Sequence, residues 1–102
     1  MKWPFDQAPN VAAVTSTHIT TEGKPILLVT HYRDDHSWGF QSGLPVTTAD
    51  AQVVGMKEIV KLDSSVAEVA DLPPGWSASR EAVGKEWVRA KDEWNDDESQ
   101  AT

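Results

Sequence analysis

The run PILLVTHY, residues 25 to 32, sets the tightest limit on what this chain can fold into. It is rich in β-forming residues, is too short for a helix, and carries its proline at the first position, where a strand tolerates a missing N–H. Alternation puts Ile26, Leu28, Thr30 and Tyr32 on one face and Leu27, Val29 and His31 on the other. Both faces begin apolar, which predicts a central strand. SWGFQSG, residues 37 to 43, reads as its partner, with Trp38 and Phe40 on one side. Between them RDDH is a polar bend of the kind that joins antiparallel strands.

Around this hairpin the remaining elements can be placed. VAAVTST, residues 11 to 17, has the Val and Thr content of a short strand, and Glu22-Gly23 offers a turn after it. Past GLPV the period turns helical. Thr47 or Thr48 can cap a first turn, Asp50 suits the positive end of the helix dipole, and Val53, Met56 and Val60 recur at spacings of three and four. A helix over about 48 to 62 is predicted, with Gly55 in its interior at a cost of roughly 1 kcal/mol relative to alanine. Asp63 or Ser64 then caps a second, shorter helix over 64 to 71, in which Val66, Val69 and Leu72 share a face. Pro73-Pro74-Gly75 ends it. The segment from Trp76 to Trp94 supports two readings. At helical spacing Val83, Trp87, Ala90 and Trp94 form a stripe; in alternation Trp76, Ala78 and Arg80 suit one strand and Trp87 and Arg89 another, turning at Val83-Gly84-Lys85. Gly84 and the serines favour the β reading. The fold class expected is α+β: a small antiparallel β-sheet of three or more strands, two helices packed on one face, and a β-like C-terminal segment.

Length and charge narrow the classes of function. The 102 residues fit one domain, taken as residues 1 to 91. Residues 92 to 102, DEWNDDESQAT, hold five of the sixteen acids and no base, so the net charge of −7 is concentrated in a tail expected to be disordered, and the body stands at about −2. Nucleic acid needs a basic footprint and is not expected as a partner. There are no cysteines, which removes disulfides, thiolate nucleophiles and thiolate zinc ligands and fits a reducing compartment. The opening MKWPFDQAPN has no apolar run of leader length, and ILLV, the longest apolar run, is far short of a bilayer span. A cytoplasmic protein is therefore expected, with no membrane association.

The stretch HYRDDHSWGF, residues 31 to 40, has the residue types of a site. His31 and His36 flank Asp34 and Asp35, and zinc could draw ligands from such a bend. The histidines are five apart on a strand entering a turn, HExxH is absent, and a solvated turn is the expected reading. Asp35, His36 and Ser37 are consecutive and point alternately, so they cannot converge as a relay. Gly84-Lys85 is followed by Glu86, with neither a P-loop nor a GxGxxG pattern. No catalytic, cofactor-binding or metal-ligating residue is assigned, and no cofactor is expected. Tryptophan stands out instead, with five in the chain. Trp76, Arg80, Trp87 and Arg89 are the candidate partner-binding residues, because tryptophan and arginine are enriched at the energetic centres of interfaces. The competing reading is that Trp38, Trp76 and Trp87 fill the core of a small domain, with Trp94 exposed in the tail.

The order PILLVTHYRDDHSWGFQSG, then a capped helix running through IVKLDSSVAEVADLPPGW, then an arginine and a later tryptophan, resembles a small bacterial domain of unknown function classed as immunity protein 33-like. The matching features fall on Trp38, Phe40, Gly43, Asp63, Leu72 and Pro74-Gly75, over about residues 11 to 90, and Ser64 stands where a proline often follows the aspartate. The resemblance implies an immunity-type role, neutralising a bacterial toxin by occluding it, and carries over no catalytic residue. The leading expectation is a non-enzymatic protein-binding module, with acidity suited to a basic partner such as a nuclease. The alternatives are a small metal-dependent enzyme using the 31–38 bend and a housekeeping scaffold protein.

Overall fold

The computed structural model describes residues 3–92. Residues 93 to 102, with Trp94 and all but the first residue of the expected tail, lie outside the described residues. The described chain forms an α+β fold on one six-stranded sheet. Its strands are β1 (Ala12–Ser16), β2 (Leu28–His31), β3 (Trp38–Gln41), β4 (Ala51–Gly55), β5 (Trp76–Ser79) and β6 (Val88–Lys91). The helices are α1 (Thr17–Thr20), α2 (Met56–Leu62) and a 3-10 helix, Ser64–Val69.

The strand order is β4-β1-β3-β2-β5-β6. The expected hairpin is present, with β2 antiparallel to β3 in a register that sets Val29 opposite Phe40 and His31 opposite Trp38. β2 is internal, as two apolar faces require, and β5 pairs on its other side. The β reading of the C-terminal segment also holds, since β5 and β6 pair antiparallel and Gly84 turns the loop between them at a φ of 89°. One junction departs from the expected antiparallel sheet. β1 runs parallel to β3, Val14 beside Gly39, so the sheet is mixed.

The helix expected over 48 to 62 is corrected by the structure. Only its second half is helical. Ala51–Gly55 is β4, antiparallel to β1, and Gly55 is the residue that caps α2, in extended conformation. Gly55 therefore carries no helix-interior penalty. Thr47 does not cap a helix either: its N–H and hydroxyl both bind Asp50 Oδ2 and close a turn. The physical reason is that β1 would otherwise be an open edge, and the β-branched pair Val53-Val54 satisfies it. Tertiary pairing overrides a helical spacing that Val53, Met56 and Val60 share only by coincidence. The second helix is a 3-10 helix, capped as expected by Asp63, whose carboxylate accepts from the Ser65 N–H.

The register assigns the two faces. Ala13, Thr15, Val29, His31, Trp38, Phe40, Trp76 and Ala78 share one face, and these side chains are buried apart from the half-buried Trp76. Met56, Ile59 and Val60 of α2, with Val66, Val69 and Leu72 beyond it, close over this face, joined by Phe5 from the N-terminal lead-in. Trp38 and Phe40 are fully buried at the centre, with the Phe5 ring edge-on to Trp38 at 5.0 Å.

Candidate functional site

The bend that looked most like a reagent cluster divides into an inside and an outside. His31 points into the core with 2% of its surface exposed and stacks on Trp38 at a centroid distance of 4.0 Å. Its Nδ1 lies 2.6 Å from the Leu72 carbonyl, and Nε2 lies 3.2 Å from the His36 carbonyl and 3.4 Å from Asp6 Oδ2. Asp6 also accepts from Trp38 Nε1 at 2.9 Å, and Gln7 Nε2 donates to the His36 carbonyl. This group fastens the N-terminal lead-in across the hairpin. Asp34, Asp35 and His36 are exposed. Asp35 accepts from both the N–H and the hydroxyl of Ser37, and these bonds hold its carboxyl below the usual range. His36 takes a φ of 62°, which a non-glycine residue adopts mainly in turns.

Trp76, Arg80, Trp87 and Arg89 are brought to one side of the molecule, but their cations are engaged internally. Arg80 is 6% exposed. Its Nε and Nη2 both donate to the Ile26 carbonyl, Nη1 donates to Ser65 Oγ, and Nη2 meets Asp63 Oδ2 at 2.7 Å. The guanidinium lies under the Trp87 ring, 4.1 Å from its centroid. This is the planar, multiply hydrogen-bonded use for which arginine is suited and lysine is not. Trp87 Nε1 donates to Glu68, and Arg89 bridges to Asp71 at 2.8 Å and to the Glu68 carbonyl. The Arg89 bond holds the Asp71 carboxyl below its usual range. Together these side chains fasten the β5–β6 hairpin to the 3-10 helix. An exposed depression of about 450 Å³ beside the Gly84 turn, lined by Ser79, Arg80, Glu81, Lys85, Glu86 and Val88, carries mixed charge.

The opposite face of the sheet is the feature that sequence reasoning passed over. By the same register it carries Val14, Leu28, Thr30 and Ser77 across its middle, with Val88 and Ala90 at the β6 edge and Val53 at the β4 edge. Val88 and Val53 are 65% and 67% exposed, while Val14, Leu28, Thr30 and Ser77 are half-buried. Gly39 lies on this face beneath the Tyr32 ring, close enough that a Cβ there would fall 2.7 Å from the phenol oxygen. The Tyr32 hydroxyl is pushed above its usual range by burial, then by the charges of Asp92 and Asp35. Asp92 Oδ1 accepts from Ser77 Oγ at 2.7 Å. The bend end of the face thus carries Thr30, Ser77 and Ala90 beside an acidic margin. At its other end Ser16 Oγ and Gln41 Oε1 are enclosed without hydrogen-bond partners. The alternation of Ser77 and Ser79 with Trp76 and Ala78 was the available signal for this two-sidedness.

Among the described residues no group of three or more His, Cys, Asp or Glu side chains is placed to hold a metal ion, and no helix is long and apolar enough to cross a membrane. No family model, curated protein or solved structure matches the chain.

Proposed function

We propose that this chain is a protein-binding module that docks a basic partner on the uncovered face of its sheet. The observation that carries the reading is that face itself: opposite the helices, the apolar side chains of the half-buried Leu28 and the exposed Val88 lie in one row, and Tyr32, Asp35 and Asp92 stand at the bend end of the same strands. An apolar patch with a charged rim is the usual anatomy of a protein interface. The Trp76, Arg80, Trp87 and Arg89 group supports the docking surface from behind by fixing β5 and β6, instead of offering its own cations. The immunity-type role that the sequence resemblance implies, occlusion of a bacterial toxin in the cytoplasm, is one form of such binding. A basic toxin domain would meet the acidic margin.

A photo-crosslinking side chain placed in turn at Leu28, Val88 and Lys57 tests the reading in native cells. Positions 28 and 88 are expected to capture the same basic protein, and Lys57 on α2 is expected to capture none of it. Capture from Lys57 alone, or a captured partner with no excess of basic residues, would overturn the proposal.

A further inference from the structure

The two edges of the sheet are built differently, and the difference points to a second copy of this chain as the occupant of one of them. Thr17 N–H donates to the Asp50 carbonyl at 2.9 Å, and Met56 N–H donates to the Val11 carbonyl at 2.8 Å. These bonds bracket the β1–β4 ladder. In an antiparallel ladder the bonding direction alternates by residue, so Gln52 and Val54 face β1 while the backbone groups of Ala51, Val53 and Gly55 face outward. At the other edge Asp92 N–H donates to the Gly75 carbonyl at 2.8 Å, which turns Val88 and Ala90 toward β5 and leaves Arg89 and Lys91 facing outward.

Two copies meeting edge to edge about a two-fold axis perpendicular to the sheet keep the same face up, and they pair only residues that both face outward. On β6 that sets Arg89 against itself or against Lys91, cation against cation. Charges on an edge strand are a known defence against pairing. On β4 the sequence AQVVG has neither charge nor proline. Centring the axis on Val53 pairs Val53 with its own copy and Ala51 with Gly55 of the other chain. Val53 then exchanges both backbone bonds with its counterpart, and each Gly55 N–H reaches an Ala51 carbonyl. The Ala51 N–H is already bonded to the Thr47 carbonyl at 3.1 Å and needs no partner. The Val53 side chains, 67% exposed, come together beside Val14 on the uncovered face.

We infer that the chain self-associates through β4, antiparallel and centred on Val53, to give a continuous twelve-stranded sheet from two six-stranded ones. The inference is independent of the proposed docking surface, which lies at the β2–β5–β6 end.

Sedimentation equilibrium of the full chain, up to about 1 mM to reach a weak dimer, tests it alongside Val53→Lys and Val88→Lys. The wild type and Val88→Lys are expected to dimerise, and Val53→Lys to raise the dissociation constant tenfold or more. A wild type that stays monomeric throughout, or a dimer indifferent to Val53→Lys, overturns the inference. Should Val53→Lys fail to fold, amide exchange of the wild type decides. Slower exchange at Val53 and Gly55 with rising concentration supports the pairing, and unchanged exchange there refutes it.

Discussion

Replacing Asp63 with alanine removes the counter-charge of a guanidinium that has almost no access to water. The Arg80 side chain is 1% exposed and that of Asp63 is 19%, with 2.7 Å between them. Breaking such a pair from one side costs about 3–5 kcal/mol, because the remaining charge stays buried. The partial exposure of Asp63 and the two Arg80 bonds to the Ile26 carbonyl place the cost near the lower end, about 3 kcal/mol. Asp63 also accepts from Ser65 N–H, and loss of that cap adds about 1 kcal/mol. The expected total, about 4 kcal/mol, is a large part of the ~5–15 kcal/mol that stabilises an ordinary domain. Urea unfolding of the wild type, Asp63→Ala, Arg80→Met and the double variant separates the two contributions. In the Arg80→Met background the Asp63 substitution should cost only the cap, leaving a coupling energy of about 2–3 kcal/mol. A coupling under about 0.5 kcal/mol, the level at which independent sites add, would refute the view that this pair joins the 3-10 helix to the sheet.

Gly39→Ala should destabilise by about 1 kcal/mol, the lower end for overpacking, since the Tyr32 ring it strikes can swing toward solvent. In a Tyr32→Ala background the same change should cost nothing measurable by thermal unfolding. Tyr32 is the one tyrosine, so its ultraviolet titration reports a single group, and the midpoint should lie above 10. Its raised folded value means that the contribution is intact below the unfolded value of about 10 and is lost as pH rises through the folded one. Wild type should therefore lose stability against Tyr32→Phe above pH ~10, and parallel pH profiles would count against the burial of this hydroxyl. Trp38→Ala should cost about 3–5 kcal/mol in denaturant unfolding, because the ring is fully buried between His31 and Phe5. A cost below about 2 kcal/mol would mean that the site collapses and that Trp38 is not the core anchor.

What could be read from residues alone was local. The hairpin of β2 and β3 was legible because alternation and a short polar bend specify each other. Pro73-Pro74-Gly75 stopped its helix as proline and glycine must, and Trp38 belonged in the core because its neighbours patterned as a strand. The misread part was nonlocal. Val53, Met56 and Val60 fit a helical period equally well whether or not β1 needs a partner, and only the folded sheet decides. The parallel seating of β1 against β3 leaves no trace in either strand. Thr17–Thr20, a single turn of mostly β-branched residues, had no helical pattern to find. At the candidate site, Asp63 was legible as a cap and Arg80 as an arginine near tryptophans. Their meeting required the return of β5 beside β2, so Arg80 read as a surface cation when it is an internal one.

The parallel seating of β1 also orders events in time. β1 is made before the other five strands of this sheet, yet its two neighbours, β3 and β4, both come later, and neither can reach it through a short hairpin turn. The segment AAVTS must wait with both edges unpaired until Gln41 has been made, and with one edge open until Gly55. The β2–β3 and β5–β6 hairpins close locally and need no such delay. Nonlocal pairings form late because closing the long loop costs entropy before any contact returns it. Refolding should end with the capture of β1, and until that moment the strand is the part of the chain most open to proteases, chaperones and misassembly.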